Sequence, residues 1–244
     1  ALGDGFAGGV EAVTNTLGKL KGLYSQTKDL DISTAINQIG SAMNELGANG
    51  AASEQNIGEF AMRLGSLPEK LKPTIAEALA LGAAFEESGI DAERASTAYS
   101  SVIRTAAKDA DKFAKVMNLS KKEVEDLMNE DPLEFFLKFS EGAKGLDTTE
   151  LAKMLDYLKL NDQYVISAMG SASENTDRFR ASIQLSNKAL TEATSLQQEF
   201  DKVNNNSAAI FEKVQKKLAG IFANESVAKG LNFLIEGFGK MIGA

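Results

Sequence analysis

Apolar side chains recur every three or four residues through most of this 244-residue sequence, and that spacing corresponds to one face of an α-helix. Alternation of apolar and polar residues with a period of two, which marks β-strands, is nearly absent. β-Branched residues cluster only locally, as at Val165 and Ile166. The sequence therefore predicts an all-α fold, a multi-helix bundle of short helices with one or two long C-terminal helices.

Capping residues divide the chain into successive short helices. Ser33, Ser53 and Asp91 each precede an apolar stripe, where their side chains can accept a hydrogen bond from an amide of the first turn. Three pairs have the spacing of a capping box: Ser120 with Glu123, Asp131 with Glu134, and Asp147 with Glu150. Residues 75–85 are nearly all apolar, which predicts a buried helix.

Changes in composition predict three regions. Residues 1–30 are Gly-rich and should form an amphipathic lead-in helix, and residues 31–170 should form a compact helical core. Residues 171–244 should form a long helix followed by C-terminal amphipathic helices. No Gly or Pro occurs between residues 171 and 218, and we expect a kink or break at residues 204–206, which are all Asn. Because the chain starts without Met and stops just after an apolar stretch, we expect it to be part of a longer protein.

The absence of two residue types excludes several kinds of active site. The chain has no His and no Cys, so it cannot build a Ser-His-Asp triad, a Cys-His pair, an HExxH zinc site or a Cys-based zinc site. We therefore predict that the chain is not an enzyme. We predict no catalytic, cofactor-binding or metal-binding residues.

Charge and hydropathy restrict the partners. The formal net charge is −8, whereas a nucleic-acid-binding protein usually carries a basic stripe, so we expect no specific nucleic-acid binding. The densest basic cluster, Lys213, Lys216 and Lys217, has Glu212 beside it and is typical of a solvated helix face. No run of about 18 apolar residues occurs, which predicts no transmembrane segment. The amphipathic stretch 218–244 is predicted to pack against partner helices.

Two motifs have a chemical interpretation that their context does not support. The run Gly3-Asp4-Gly5-Phe6-Ala7-Gly8 matches GxGxxG, but a dinucleotide site needs a preceding strand and only two residues precede Gly3. Carboxylates occur close together at Glu86 and Glu87, at Glu123, Glu125 and Asp126, and at Glu130 and Asp131. A glycosidase uses two carboxylates across a cleft. Because each group here lies beside a predicted cap or solvent-facing surface, we expect these carboxylates to be structural.

An ordered set of short segments resembles the conserved core region of phage tail tape-measure proteins. The first is Ala-Glu-Ala-Leu-Ala-Leu-Gly-Ala-Ala-Phe-Glu-Glu-Ser-Gly-Ile-Asp-Ala-Glu-Arg-Ala-Ser-Thr-Ala at 76–98. Met-Asn-Leu-Ser at 117–120, Asp-Pro-Leu-Glu-Phe-Phe-Leu-Lys-Phe at 131–139 and Met-Gly-Ser-Ala at 169–172 follow. The resemblance covers roughly residues 30–220. It departs from the family pattern near 155–163, where Leu160-Asn161-Asp162 stands in place of the usual Gly turn.

This resemblance implies a virion structural protein of a phage or prophage tail that acts in tail assembly and in the determination of tail length. It implies tail tube and tail assembly proteins as partners, together with other copies of the same chain. The location would be the virion tail, and the bacterial host cytoplasm during assembly. Two other functions stay open at this point: a helical interaction or membrane-active effector domain, and a carboxylate-based cell-wall hydrolase.

Overall fold

The computed structural model describes residues 6–202, and no β-strand occurs in that range. The all-α prediction is confirmed. In chain order the helices are α1 (Gly9–Leu23), α2 (Ser25–Lys28), α3 (Ile32–Asn49), α4 (Glu54–Leu64), α5 (Ile75–Glu87), α6 (Ala92–Lys108), α7 (Ala110–Met117), α8 (Lys121–Glu130), α9 (Pro132–Gly142), α10 (Thr148–Tyr157), α11 (Gln163–Glu174), α12 (Thr176–Glu192) and α13 (Ser195–Lys202). A 3₁₀ turn, Glu69–Leu71, precedes α5.

Most predicted caps are confirmed. The Ser53 hydroxyl accepts a hydrogen bond from the Asn56 amide at 3.3 Å, and Asp91 accepts one from the Arg94 amide at 2.9 Å. The reciprocal capping boxes of Ser120 with Glu123 and of Asp147 with Glu150 both form. Each of these caps involves residues only three positions apart in the sequence. Each cap contributes about 1 kcal/mol to the stability of its helix.

Two of the predicted caps are wrong in part. The α3 helix begins at Ile32, and its cap is Asp31, whose carboxylate accepts from the Thr34 amide at 2.9 Å; Ser33 already lies inside the helix. At α9, Asp131 accepts from the Glu134 amide at 2.8 Å, but the Glu134 side chain does not complete the box. It instead binds Arg180 of α12.

The Gly-free and Pro-free stretch is not one continuous helix in its described part. The α11 helix ends at Glu174, and the Thr176 hydroxyl then donates to the Ala172 carbonyl at 2.9 Å. A continuing helix would offer that carbonyl to the Thr176 amide, so the side chain competes with the backbone. The α12 helix ends at Glu192, and the next residue, Ala193, has a left-handed φ of 51°.

Several sequence predictions fall on residues outside the described range. They are the break at 204–206, the Lys213 cluster, the amphipathic stretch 218–244 and the first half, residues 3–5, of the motif at residues 3–8. The boundaries predicted after residues 30 and 170 stay predictions. Among residues 6–202, no helix is both long enough and apolar enough to cross a membrane.

The centre of the bundle is α5, which is buried from Ile75 to Phe85 apart from Glu77. It packs against α3, α4, α6 and α12. The closest approach is to α4: a Cβ atom placed on Gly82 would lie 3.0 Å from the Phe60 Cβ and 3.2 Å from the Ile57 Cα. The absence of a side chain at Gly82 therefore sets the distance between these two helices.

A group of three phenylalanine rings stabilises the side of the bundle that α7 and α9 form. The Phe113 ring centroid lies 5.6 Å from that of Phe135 and 5.0 Å from that of Phe139. All three side chains are fully or almost fully buried. The α10 helix, by contrast, lies at the edge: Leu155 is its one buried residue, and its main helix contact is α11.

Replacement of Gly82 by Ala tests the α4–α5 contact. The added methyl group would meet backbone atoms of α4, so we expect Gly82→Ala to lower the free energy of unfolding by about 1–3 kcal/mol, as overpacked cores do. Gly22→Ala in α1 is the matched control, because nothing lies within 4 Å of its added Cβ. That variant should be more stable than the parent by up to about 1 kcal/mol. Denaturant unfolding measures both, and equal effects would contradict the role of Gly82.

Replacement of Lys159 by Gly tests strain at the end of α10. Lys159 has a φ of 60°, and the Leu160 amide closes the turn on the Leu155 carbonyl at 2.8 Å, an arrangement that normally places Gly at this position. We expect Lys159→Gly to raise the free energy of unfolding by up to about 1 kcal/mol. The same change at Lys153, inside α10, should lower it by a similar amount. A loss of stability in Lys159→Gly would show that the turn is not strained.

Candidate functional site

The predicted carboxylate pair on α5 is occupied by structural contacts. Glu86 accepts hydrogen bonds from the amide and the hydroxyl of Ser53 at 3.0 and 3.1 Å, so it holds the start of α4. Glu87 lies 4.0 Å from the Arg178 guanidinium on α12. Adjacent in sequence, the two carboxylates therefore serve two different helix contacts.

The other predicted carboxylates act at helix ends or lie in ion pairs. Glu123 closes its capping box, Asp131 caps α9, and Glu125 lies 3.6 Å from the Lys121 ammonium. Asp126 and Glu130 are exposed on α8. Within residues 6–202, no group of three or more acidic residues is placed to hold a metal ion.

Two of the surface recesses among the described residues have a mainly polar lining. One of about 220 Å³ lies between α6, α7 and α8, where Lys121 is 3.9 Å from Asp111 and 3.6 Å from Glu125. The other, an open recess of about 370 Å³ between α4 and α6, is lined by two guanidinium groups and five hydroxyl groups. Of these guanidinium groups, that of Arg63 pairs with Glu59 at 2.9 Å.

The strongest ion cluster was not predicted. Arg180 of α12 forms two hydrogen bonds with the Glu134 carboxylate at 2.8 and 3.1 Å, and it contacts Glu141 at 2.9 Å. These hydrogen bonds, those with Glu134 foremost, raise the pKa of the guanidinium. Arg180 lies far from Glu134 and Glu141 in the sequence, so no local sequence pattern indicates that these side chains pair.

A partly buried carboxyl group, that of Glu77, lies at the start of α5. The Glu77 side chain closes a capping box with Thr74, and burial raises the pKa of its carboxyl group, with a smaller contribution from Asp131. The Tyr99 hydroxyl is fully buried and has no hydrogen-bond partner. Burial, followed by the negative charges of Glu77 and Asp131, raises the pKa of Tyr99 well above its usual value, so the phenol stays protonated.

The helices α3 and α5 form a groove between them, which we call the α3–α5 groove. It is filled by α12, which contacts both helices. The Ser186 hydroxyl donates to the Ala76 carbonyl at 2.7 Å near the start of α5, and Arg178 donates to the Glu87 carbonyl at 3.4 Å near its end. Hence α12 runs antiparallel to α5. The Phe179 ring adds an edge-on contact with the Phe85 ring at 4.8 Å.

Short polar side chains fix the position of α13 on α3. The Asn44 amide group donates to the Ser195 hydroxyl at 2.7 Å, and the Leu196 backbone amide donates to the Ser41 hydroxyl at 3.2 Å. All four residues are buried. Buried polar groups that are fully paired define one register between two helices, because any shift leaves them without partners.

These contacts define a helical module whose described helices pack on one another through noncovalent contacts. The family model described as phage-related minor tail protein matches residues 2–158, well over half of the chain. The chain belongs to this family and is a phage tail protein. No curated protein and no solved structure matches it significantly. The matched segment ends at Leu158, directly after α10, so α11, α12 and α13 lie outside it.

The raised pKa of Glu77 predicts a specific dependence of stability on pH. A carboxyl group whose pKa is higher in the folded chain than in the unfolded chain contributes full stability below the unfolded value of about 4.3, and this contribution is lost as the pH rises through the folded pKa. Glu77→Gln keeps an oxygen for the Thr74 amide but cannot ionise. We therefore expect the stability of this variant, relative to the parent, to rise between about pH 4 and pH 8.

Glu123→Gln is the matched control, because Glu123 occupies the same position in an exposed capping box. Hydrogen bonds from Ser120 lower the pKa of Glu123, so its contribution is present above the unfolded pKa and is lost as the pH falls. Its variant should show the opposite trend. Denaturant unfolding at several pH values measures both, and parallel curves for the parent and Glu77→Gln would contradict the effect of burial.

Proposed function

We propose that this chain is the helical core region of a tape-measure protein, which acts in tail assembly and sets tail length. The observation that carries the proposal is the match to the phage-related minor tail protein family over residues 2–158. Within that range lie the tape-measure-like segments at 76–98, 117–120 and 131–139. The proposed partners are tail tube proteins, tail assembly proteins and other copies of the chain.

The structural positions of these segments support the proposal. The segment at 76–98 runs from α5 through its turn into α6, with Asp91 as the cap. The segment at 117–120 is the turn between α7 and α8, where Asn118 has a left-handed φ of 54°. Asp131 caps α9 in the third segment. The resemblance therefore falls on residues that fix how successive helices are connected.

In this proposal the chain acts through its length and its apolar surfaces. Helices pack on tail proteins and on neighbouring copies, and the length of the parent chain limits how many tube subunits can assemble around it. Each residue in a helix contributes about 1.5 Å to such a length. The chain would form no covalent intermediate, and it would act in the host cytoplasm during assembly and in the virion tail afterwards.

Deletion of residues 163–202 from the full-length tail protein tests this function. If that segment is helical in the tail, virions should have tails shorter by about 60 Å. Tandem duplication of the same segment should lengthen the tail by a similar distance. Electron microscopy of purified virions measures both lengths.

A length-preserving variant with Ala at the exposed positions Lys122, Lys138 and Lys153 serves as the control and should leave tail length unchanged. The duplication keeps the test decisive if the deletion prevents assembly. Tails of parental length in virions that carry the duplication would overturn the proposed role in length determination.

A further inference from the structure

The last three described helices form an arm that packs on the rest of the bundle. This arm comprises residues 163–202, and the body comprises residues 6–158. Of the arm helices, α11 lies against α6 and α9 of the body, α12 fills the α3–α5 groove, and α13 lies on α3. The arm helices contact each other far less than they contact the body. Because the arm has little core of its own, its stability depends on a body to bind.

Each polar contact between arm and body joins an arm residue directly to a body residue. They include the hydrogen bonds from Ser186 to the Ala76 carbonyl and from Asn44 to Ser195, and the pairing of Arg180 with Glu134. None of these contacts involves the linker between body and arm. A body could therefore form all of them with the arm of another copy of the chain.

The linker between body and arm is short and strained. The α10 helix ends at Tyr157 and α11 begins at Gln163, and no Gly lies between them. Lys159 adopts a left-handed backbone there, with a φ of 60°, which is unfavourable for a residue that has a Cβ atom. Opening this turn would release the strain, but it would also break the hydrogen bond from the Leu160 amide to the Leu155 carbonyl and reduce the burial of Leu158 and Leu160.

We propose that two copies of this chain exchange their arms, so that α12 of each copy fills the α3–α5 groove of the other. The exchanged dimer keeps every arm–body contact and differs from the monomer in its linkers, the usual condition for such an exchange. The monomer is favoured at low concentration, because a short linker holds the arm near its own groove at an effective concentration of order mM. Exchange therefore becomes populated where copies are crowded. This inference concerns the chain itself and does not require the role in tail length.

Two single-cysteine variants of the full chain detect the exchange. The chain has no Cys, so Asn44→Cys and Ser195→Cys each introduce one thiol at a buried arm–body contact. The two variants are mixed, unfolded in guanidinium, refolded together at about 1 mM and then oxidised. Exchange places the two thiols together across copies, so a covalent heterodimer linked through positions 44 and 195 is expected on a non-reducing gel and by peptide mass spectrometry.

Two controls make the result decisive. The double variant with both Cys residues in one chain, refolded in dilute solution, should close an intramolecular disulfide and so show that the two positions can be bridged. A mixture of Asn44→Cys with Thr191→Cys gives the background of random cross-linking, because Thr191 is exposed on α12. Heterodimer no more abundant than this background, with the double variant fully closed, would overturn the exchange. If the double variant does not close on oxidation, a short bis-maleimide reagent replaces the oxidant in all three samples, and failure to link the two thiols within the double variant by this route as well would overturn the contact on which the exchange depends.

Lys159→Gly tests whether the linker drives the exchange. Glycine removes the strain of the left-handed backbone in the monomer, whereas the arm–body contacts stay the same. We expect the yield of the 44–195 heterodimer to fall about five- to ten-fold when both mixed variants carry Lys159→Gly. An unchanged yield would contradict the role of Lys159.

Discussion

The packing of the bundle depends on the ring of Phe85, which contacts aromatic rings of three other helices. Its centroid lies 5.8 Å from that of Phe60 on α4, 6.1 Å from that of Phe136 on α9 and 4.8 Å from that of Phe179 on α12. Tyr99 on α6 extends the cluster through Phe136 at 5.1 Å. Tilted and edge-on ring pairs of this kind add about 0.5–1.5 kcal/mol each beyond the burial of their surface. Because α5 carries mostly Ala, Leu and Gly elsewhere, its neighbours come close enough for these rings to meet.

Helix identity and most helix ends could be predicted because their causes are local. A cap such as Ser120 and its partner Glu123 are three residues apart, and the apolar stripes follow a fixed period. The errors arise where a distant residue competes for a side chain. Glu134 has the sequence position of a capping-box residue, but Arg180, from α12, binds its carboxylate instead. The break after Glu174 has a different cause. There the Thr176 hydroxyl, instead of the Thr176 amide, donates to the Ala172 carbonyl.

The contacts relevant to function were harder to predict than the helices. Carboxylates such as Glu86 and Glu123 form hydrogen bonds at helix starts, near the caps that the sequence indicates, but the α3–α5 groove joins parts of the chain that are more than a hundred residues apart. Its contacts are single hydroxyl and amide groups with no spacing that a pattern could reveal. Membership of the phage-related minor tail protein family identifies the chain as a phage tail protein, but it does not indicate which of these contacts acts in the tail.

The central position of α5 also determines how the molecule opens. Its backbone is surrounded by α3, α4, α6 and α12, so its amide hydrogens can exchange with solvent only when the bundle comes apart as a whole. The α10 helix has one buried residue and contacts mainly α11, so it can fray while the rest stays folded. Hydrogen exchange should therefore divide the chain into a slow interior and a fast edge, and this order follows from which helix lies at the centre.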